Sequence, residues 1–140
     1  MTKKELGQYR HLVKECAMLE ERIRKKERDA ERVATVKDKV QMSQKEFPYV
    51  EAHLTVDAPE PKQYTAIQRD LYILRQMKAA VDYALAELDS FIAKIGDSRA
   101  RMIVTYVYVE GHTQKRAAID FDLTESAISK IISKTLREFN

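Results

Sequence analysis

The residues best placed to do chemistry lie near the C-terminal end. Ser126, Ser129 and Lys130 are followed by Ser133, Lys134 and Arg137. At the helical repeat, all six fall on one side of a helix. Hydroxyls near a helix start can approach bases and phosphates, and cations further along can meet a phosphate backbone. Thr124 and Glu125 stand at the start of that helix, and Lys115 and Arg116 add two cations just upstream. The candidate contacts to double-stranded DNA are therefore Lys115, Arg116, Thr124, Glu125, Ser126, Ser129, Lys130, Ser133, Lys134 and Arg137.

Covalent chemistry has little material. His11, His53 and His112 are scattered and have no ligand-spaced partner, so no metal site is expected. Cys16 falls on an apolar helical stripe, where it reads as a small core thiol rather than a nucleophile. There is no Gly-rich phosphate loop and no GxSxG, and the chain has only 3 glycines. Carboxylates are interleaved with Lys and Arg at helical spacing, the pattern of a solvated face. The expectation is a protein that is not an enzyme, with no catalytic residues and no cofactor.

The candidate contact helix needs a scaffold, and the stretch from Gly111 to Phe139 has one. Two short helices are expected: Gln114 to Phe121, capped by Thr113, and Glu125 to Phe139, capped by Thr124. Where two helices cross closely the first needs a small residue, and Ala118 supplies it beside Ala117. Asp122 occupies the turn and tolerates a left-handed backbone better than most residues. Ile128, Ile131, Ile132 and Leu136 face inward from the second helix. This is a helix-turn-helix pattern. The alternative is a hairpin that only completes a helical core.

Upstream, a third helix is expected from Arg99 to Glu110, ended by Gly111. Before it come two long helices. The first runs from about Lys3 to Met42, with a stripe of Tyr9, Leu12, Cys16, Leu19, Ile23, Lys26, Ala30, Val33, Lys37 and Val40 at heptad-like spacing. The second runs from about Lys62–Thr65 to Ile95. Its stripe is Ile67, Leu71, Leu74, Lys78, Val81, Leu85, Leu88, Ile92 and Ile95, widened by Met77, Ala84 and Phe91. Gly96 stands where a left-handed cap is expected, and Asp97-Ser98 can start the next helix. Between the long helices, Ser43 to Pro61 breaks the pattern at Pro48, Pro59 and Pro61, while Val50, Ala52, Leu54 and Val56 alternate as in a short extended segment. The fold class expected is all-α: a long, coiled-coil-like helical hairpin over residues 1–96 with an irregular connector at 43–61, then a three-helix helix-turn-helix domain over 97–140. An antiparallel hairpin is suggested, and a parallel packing remains open.

Composition agrees with long surface-rich helices. Charged residues make up 34% of the 140 residues, and Gly and Pro number only 3 each. The net charge of +3 is distributed unevenly. Residues 1–40 carry 12 Lys/Arg against 8 Asp/Glu, residues 41–61 carry 1 against 4, and residues 98–140 carry 7 against 5. Such a pattern permits nucleic-acid binding without requiring it. No apolar run is long enough for a membrane span, and no signal peptide is visible. With one cysteine, a cytoplasmic, reducing location is the default.

On these residues the chain resembles known families. Arg101 to Phe139 looks like region 4 of the sigma-70 type transcription factors, through Tyr106, Glu110-Gly111, Thr113, Ala118, Leu123-Thr124-Glu125-Ser126 and Leu136-Arg137. Ala117 stands where a larger aliphatic is usual, and Arg116 where an acid is usual. The whole layout is similar to small prophage-encoded regulators of the ArpU/RinA kind, which share a helical N-terminal region, a middle segment like KEFPYVEAHLTV and a region 4-like end. The resemblance implies a phage or prophage source and a sequence-specific transcriptional regulator that reads the major groove with helix 125–139.

RNA polymerase is a second candidate partner, and a homo-oligomer, with a dimer favoured, is expected because so few cations bind weakly alone. Two other functions are weighed. One is a phage DNA-packaging protein like a small terminase subunit, in which the DNA-reading motif is expected near the N-terminus. The other is a polymerase-binding adaptor that touches no DNA. A complete sigma factor fits less well, because residues 1–97 lack the aromatic cluster that captures flipped bases.

Overall fold

The computed structural model describes residues 1–46 and 61–138, with side chains described over 1–34 and 62–138. The alternating segment Val50–Val56, Pro48, Pro59 and Phe139 lie outside those residues, and the seam positions Lys37 and Val40 lie outside the described side chains. The described residues are helices and their connections, with no strand among them. The chain is all-α. None of its described helices is long and apolar enough to cross a membrane.

Among the described residues six α-helices follow in order: α1 Lys3–Gly7, α2 Tyr9–Glu46, α3 Pro61–Ala93, α4 Ser98–Val104, α5 Gln114–Asp120 and α6 Glu125–Glu138. Helix α2 continues past Met42 to Glu46. Pro61 opens α3 rather than ending the connector. Proline suits a first helical position, where its missing N–H has no intrahelical partner to lose. Gln8 interrupts the first predicted helix, so α1 is a separate short turn. Its start carries a reciprocal cap: Thr2 Oγ1 accepts from Glu5 N at 3.2 Å, and Glu5 Oε2 accepts from Thr2 N at 3.0 Å.

The chain divides into two compact units. The first joins Met1–Ala17 to Ala80–Asn140, and the second is Met18–Ala79.

In the second unit, α2 and α3 run antiparallel, because later positions on one pair with earlier positions on the other. Glu20 Oε1 meets Lys78 Nζ at 3.7 Å, Glu27 meets Arg75 at 3.2 Å, and Lys26 Nζ meets Asp70 Oδ2 at 3.2 Å. Leu19, Ile67, Leu71 and Leu74 are buried between these flanking pairs. Lys26 therefore lies on the seam but ends on a carboxylate. Met77 does not widen the seam, since it stays 42% exposed.

In the first unit the same antiparallel sense holds. Tyr9 Oη donates to Asp89 Oδ1 at 2.7 Å, and Cys16 Sγ to Asp82 Oδ1 at 3.4 Å. Cys16 is half-buried at the helix flank, not deep in a core. The core itself gathers Leu6 from α1, Leu88 and Ile92 from α3, Ile95 after it, Ala100, Ile103 and Val104 from α4, Ala117 and Ala118 from α5, and Ile128, Ile132 and Leu136 from α6. Leu6, Ile103, Val104, Ala117, Ile128 and Ile132 have no exposed surface. Each large aliphatic side chain so enclosed contributes roughly 1.5–3 kcal/mol relative to exposure.

The predicted third helix changes character half-way. Asp97 caps α4 through its carboxylate, which accepts from Arg99 N at 3.3 Å, and Arg101 Nη1 donates to the Ile95 carbonyl at 2.8 Å. Beyond Val104 the backbone widens into a π-helical turn over Thr105–Val109, with Glu110 N donating to Thr105 O at 3.0 Å. The Thr105 hydroxyl donates to the Arg101 carbonyl at 2.8 Å where the register changes. In the widened turn Tyr106, Val107, Tyr108 and Val109 are all half-buried and pack against the core. Burial pushes the Tyr108 hydroxyl pKa up. Gly111 then takes a left-handed backbone, φ +82. Gly96, expected to do the same, is not in that region. Chain direction there changes instead through Ile95 and the Asp97 cap.

Candidate nucleic-acid interface

The two short helices form from capping and patterning together. Thr113 Oγ1 accepts from Arg116 N at 3.1 Å and starts α5. Thr124 Oγ1 accepts from Ala127 N at 3.1 Å and starts α6. Ala117 and Ala118 are enclosed at the crossing, where Cβ alone fills the space. The turn between the helices is tight. Leu123 N donates to Ala118 O at 2.8 Å, and Asp122 adopts φ 54. Asp is tolerated there because its short polar side chain relieves part of the left-handed cost.

Helix α6 is strongly two-sided. Ile128, Ile132, Thr135 and Leu136 are buried. Thr135 is a polar member of the core, and its hydroxyl is satisfied by the Ile131 carbonyl at 2.8 Å. Opposite them Ser126, Lys130, Lys134 and Arg137 are exposed along one stripe, with Ser129 and Ser133 half-buried at its edge. Thr124 and Glu125 are exposed at its start. Lys134 Nζ lies 3.9 Å from Glu138 Oε1. Among the described residues, Lys115, Lys130 and Arg137 carry no ion pair. The helix start adds its own positive end to this surface.

Arg116 stands apart from the other candidate contacts. Its Nε lies 3.3 Å from Asp120 Oδ2, and the same oxygen accepts a hydrogen bond from Tyr106 Oη. The Tyr106 ring stacks on His112 with centroids 4.0 Å apart and meets Phe121 edge-on at 5.6 Å. His112 Nε2 is 3.6 Å from Glu110 Oε2. The Tyr106 hydroxyl bond holds the Asp120 carboxyl below the usual carboxylate range, and the same bond raises the Tyr106 pKa. Asp120 and Tyr106 were not among the sequence candidates. Arg116 and Asp120 at i, i+4 were a visible signal, but the tyrosine comes from the preceding turn and gave none.

Residues 97–138 match the family model of sigma-70, region 4.

The matched span begins on the Asp97 cap of α4 and ends with α6, so family and structure agree on the limits of the region 4 domain. Region 4 is a DNA-binding helix-turn-helix domain. Neither a curated protein nor a solved structure matches the chain. The region 4 domain does not close its own core. Leu6, Leu88, Ile92 and Ile95 come from outside the matched span, and the partly buried Met1, Tyr9, Leu12 and Phe91 pack on the same cluster.

Proposed function

We propose that this protein is a sequence-specific transcriptional regulator that inserts α6 into the major groove of double-stranded DNA. The observation that carries this is the single uncharged-to-basic stripe of α6, Ser126, Lys130, Lys134 and Arg137, set on a helix whose other side is locked into the core. Ser126, Ser129 and Lys130 lie nearest the helix start and face base edges. Lys134 and Arg137 lie further along and meet phosphates. Thr124 and Glu125 approach the duplex at the helix start, and Lys115 contacts the backbone from α5. The protein acts as a homodimer in the cytoplasm, because so few phosphate contacts bind weakly at cellular salt and a dimer doubles them. The layout it shares with prophage-encoded regulators of the ArpU/RinA kind supports a phage or prophage origin.

The test is selection of duplexes from a random pool, followed by titration of an enriched site at several salt concentrations. One enriched sequence with a steep negative salt slope is expected. Binding with a steep slope and no enrichment favours a packaging protein. No salt-dependent binding favours a polymerase adaptor.

A further inference from the structure

The first helix of the helix-turn-helix carries two adjacent cations in different states. Lys115 is exposed and carries no ion pair among the described residues. Arg116 is also exposed, but its guanidinium is bound to Asp120 one turn on. An exposed pair of this kind is individually weak, and an arginine placed before its carboxylate is the less favoured order on a helix. Here the carboxylate is not free to wander. Tyr106 donates to the oxygen that Arg116 approaches, and the tyrosine is itself held between the His112 face and the Phe121 edge. Asp120 is therefore held by Tyr106 as well as by the arginine.

We infer that Asp120 is a residue that limits affinity for DNA. It occupies Arg116 and so withholds one cation from DNA of any sequence. This inference rests on the DNA-binding reading. Phosphate attraction is blind to sequence, so each cation available to the backbone raises binding to all DNA alike. Cancelling one of them on α5 lowers affinity for random and selected DNA by the same factor and leaves the base-facing end of α6 untouched. Discrimination is the ratio of the two affinities, so it is unchanged while total affinity falls and the salt dependence on either duplex becomes shallower by one contact.

The experiment compares the full chain with Asp120→Asn, Arg116→Ala, the double variant and Tyr106→Phe. Each is titrated against a random-sequence duplex and against the selected site over a range of salt. The asparagine amide oxygen can still accept from Tyr106, and helicity and the thermal midpoint check the fold. Asp120→Asn is expected to steepen the salt slope on the random duplex by about one. Arg116→Ala alone leaves that slope unchanged, and the double variant returns to it. Tyr106→Phe gives an intermediate gain, because the carboxylate loses its tether. It also serves as an independent variant if Asp120→Asn does not fold.

Two results overturn the inference. In one, Arg116→Ala alone lowers the slope by about one, so that Arg116 already reaches phosphate. In the other, the Asp120→Asn gain persists undiminished without Arg116, so that the carboxylate acts only by repelling DNA. If the selected site is bound normally and no variant moves the random-duplex slope, this inference alone fails. If the unmodified chain shows no salt-dependent binding to either duplex, the DNA-binding reading fails and the inference with it.

Discussion

Gly111 joins the π-helical turn to the helix-turn-helix, and replacing it with alanine is a sharp test of how that junction is held. The backbone there is left-handed at φ +82, a region that costs an L-residue roughly 1–2 kcal/mol. A Cβ at this position would also run into the guanidinium of Arg10. Arg10 is exposed and its head is the far end of a flexible side chain, so it can swing aside for about 0.5 kcal/mol or less. The left-handed term therefore dominates, and Gly111→Ala should lose about 1–2 kcal/mol. For a chain of this size that is a fall in thermal midpoint of about 3–7 °C. Circular dichroism melts of Gly111→Ala, Arg10→Ala and the double variant measure it. Arg10→Ala alone should change little, and Gly111→Ala should cost nearly as much in its presence. Gly111→Asn should cost less, since asparagine tolerates this backbone. If Arg10→Ala abolishes the whole loss, the clash and not the backbone is the cause. An unchanged midpoint for Gly111→Ala would refute the account entirely.

Other outcomes follow from the same geometry. Lys130→Ala should cost roughly 1–3 kcal/mol on the selected site and less on random DNA, whereas Arg137→Ala should weaken both about equally and flatten the salt slope by about one, as titrations on the two duplexes can show. Ile128→Ala and Leu6→Ala should each destabilise by about 2–5 kcal/mol in urea unfolding, because both side chains are fully enclosed in one core although they come from opposite ends of the chain. The Tyr9 hydroxyl is pushed up to about 12 by its hydrogen bond to Asp89, then by burial. The folded state thus keeps a proton that the unfolded state releases near 10. The contribution is whole below pH 10 and is lost as pH rises toward 12, so the urea midpoint should fall across that window and fall less in Tyr9→Phe.

The sequence carried the elements well because their signals are local. Thr113 and Thr124 announce helix starts, Ile128 and Ile132 repeat at four residues, and Asp122 and Gly111 are tolerant types at the two left-handed positions. The seam of α3 was legible for the same reason, since Leu71, Leu74, Leu88 and Ile92 recur at helical spacing. What escaped depends on contacts between distant segments. Leu6 stands between Glu5 and Gly7 in a polar stretch, and nothing near it says that it joins the core that holds Ile128 and Ile132. Tyr106 read as an apolar position of a regular helix, and its bond to Asp120 exists only because the turn before it widens. Gly96 was assigned a left-handed cap by type alone, while the Arg101 guanidinium satisfies the neighbouring Ile95 carbonyl instead. The face of α6 was readable in outline, but the occupation of Arg116 required three residues from two elements.

The shared core of the first unit also has a temporal side. Leu6 leaves the ribosome well before Ile128, Ile132 and Leu136, members of the same core that follow some 120–130 residues later. At about 5–20 residues per second, the first turn waits roughly 6–26 s for the helices that enclose it. Contacts of such sequence separation must close a long loop before they return any stabilisation, which slows their formation. The two helices of the helix-turn-helix are not fully braced until both stretches have been made.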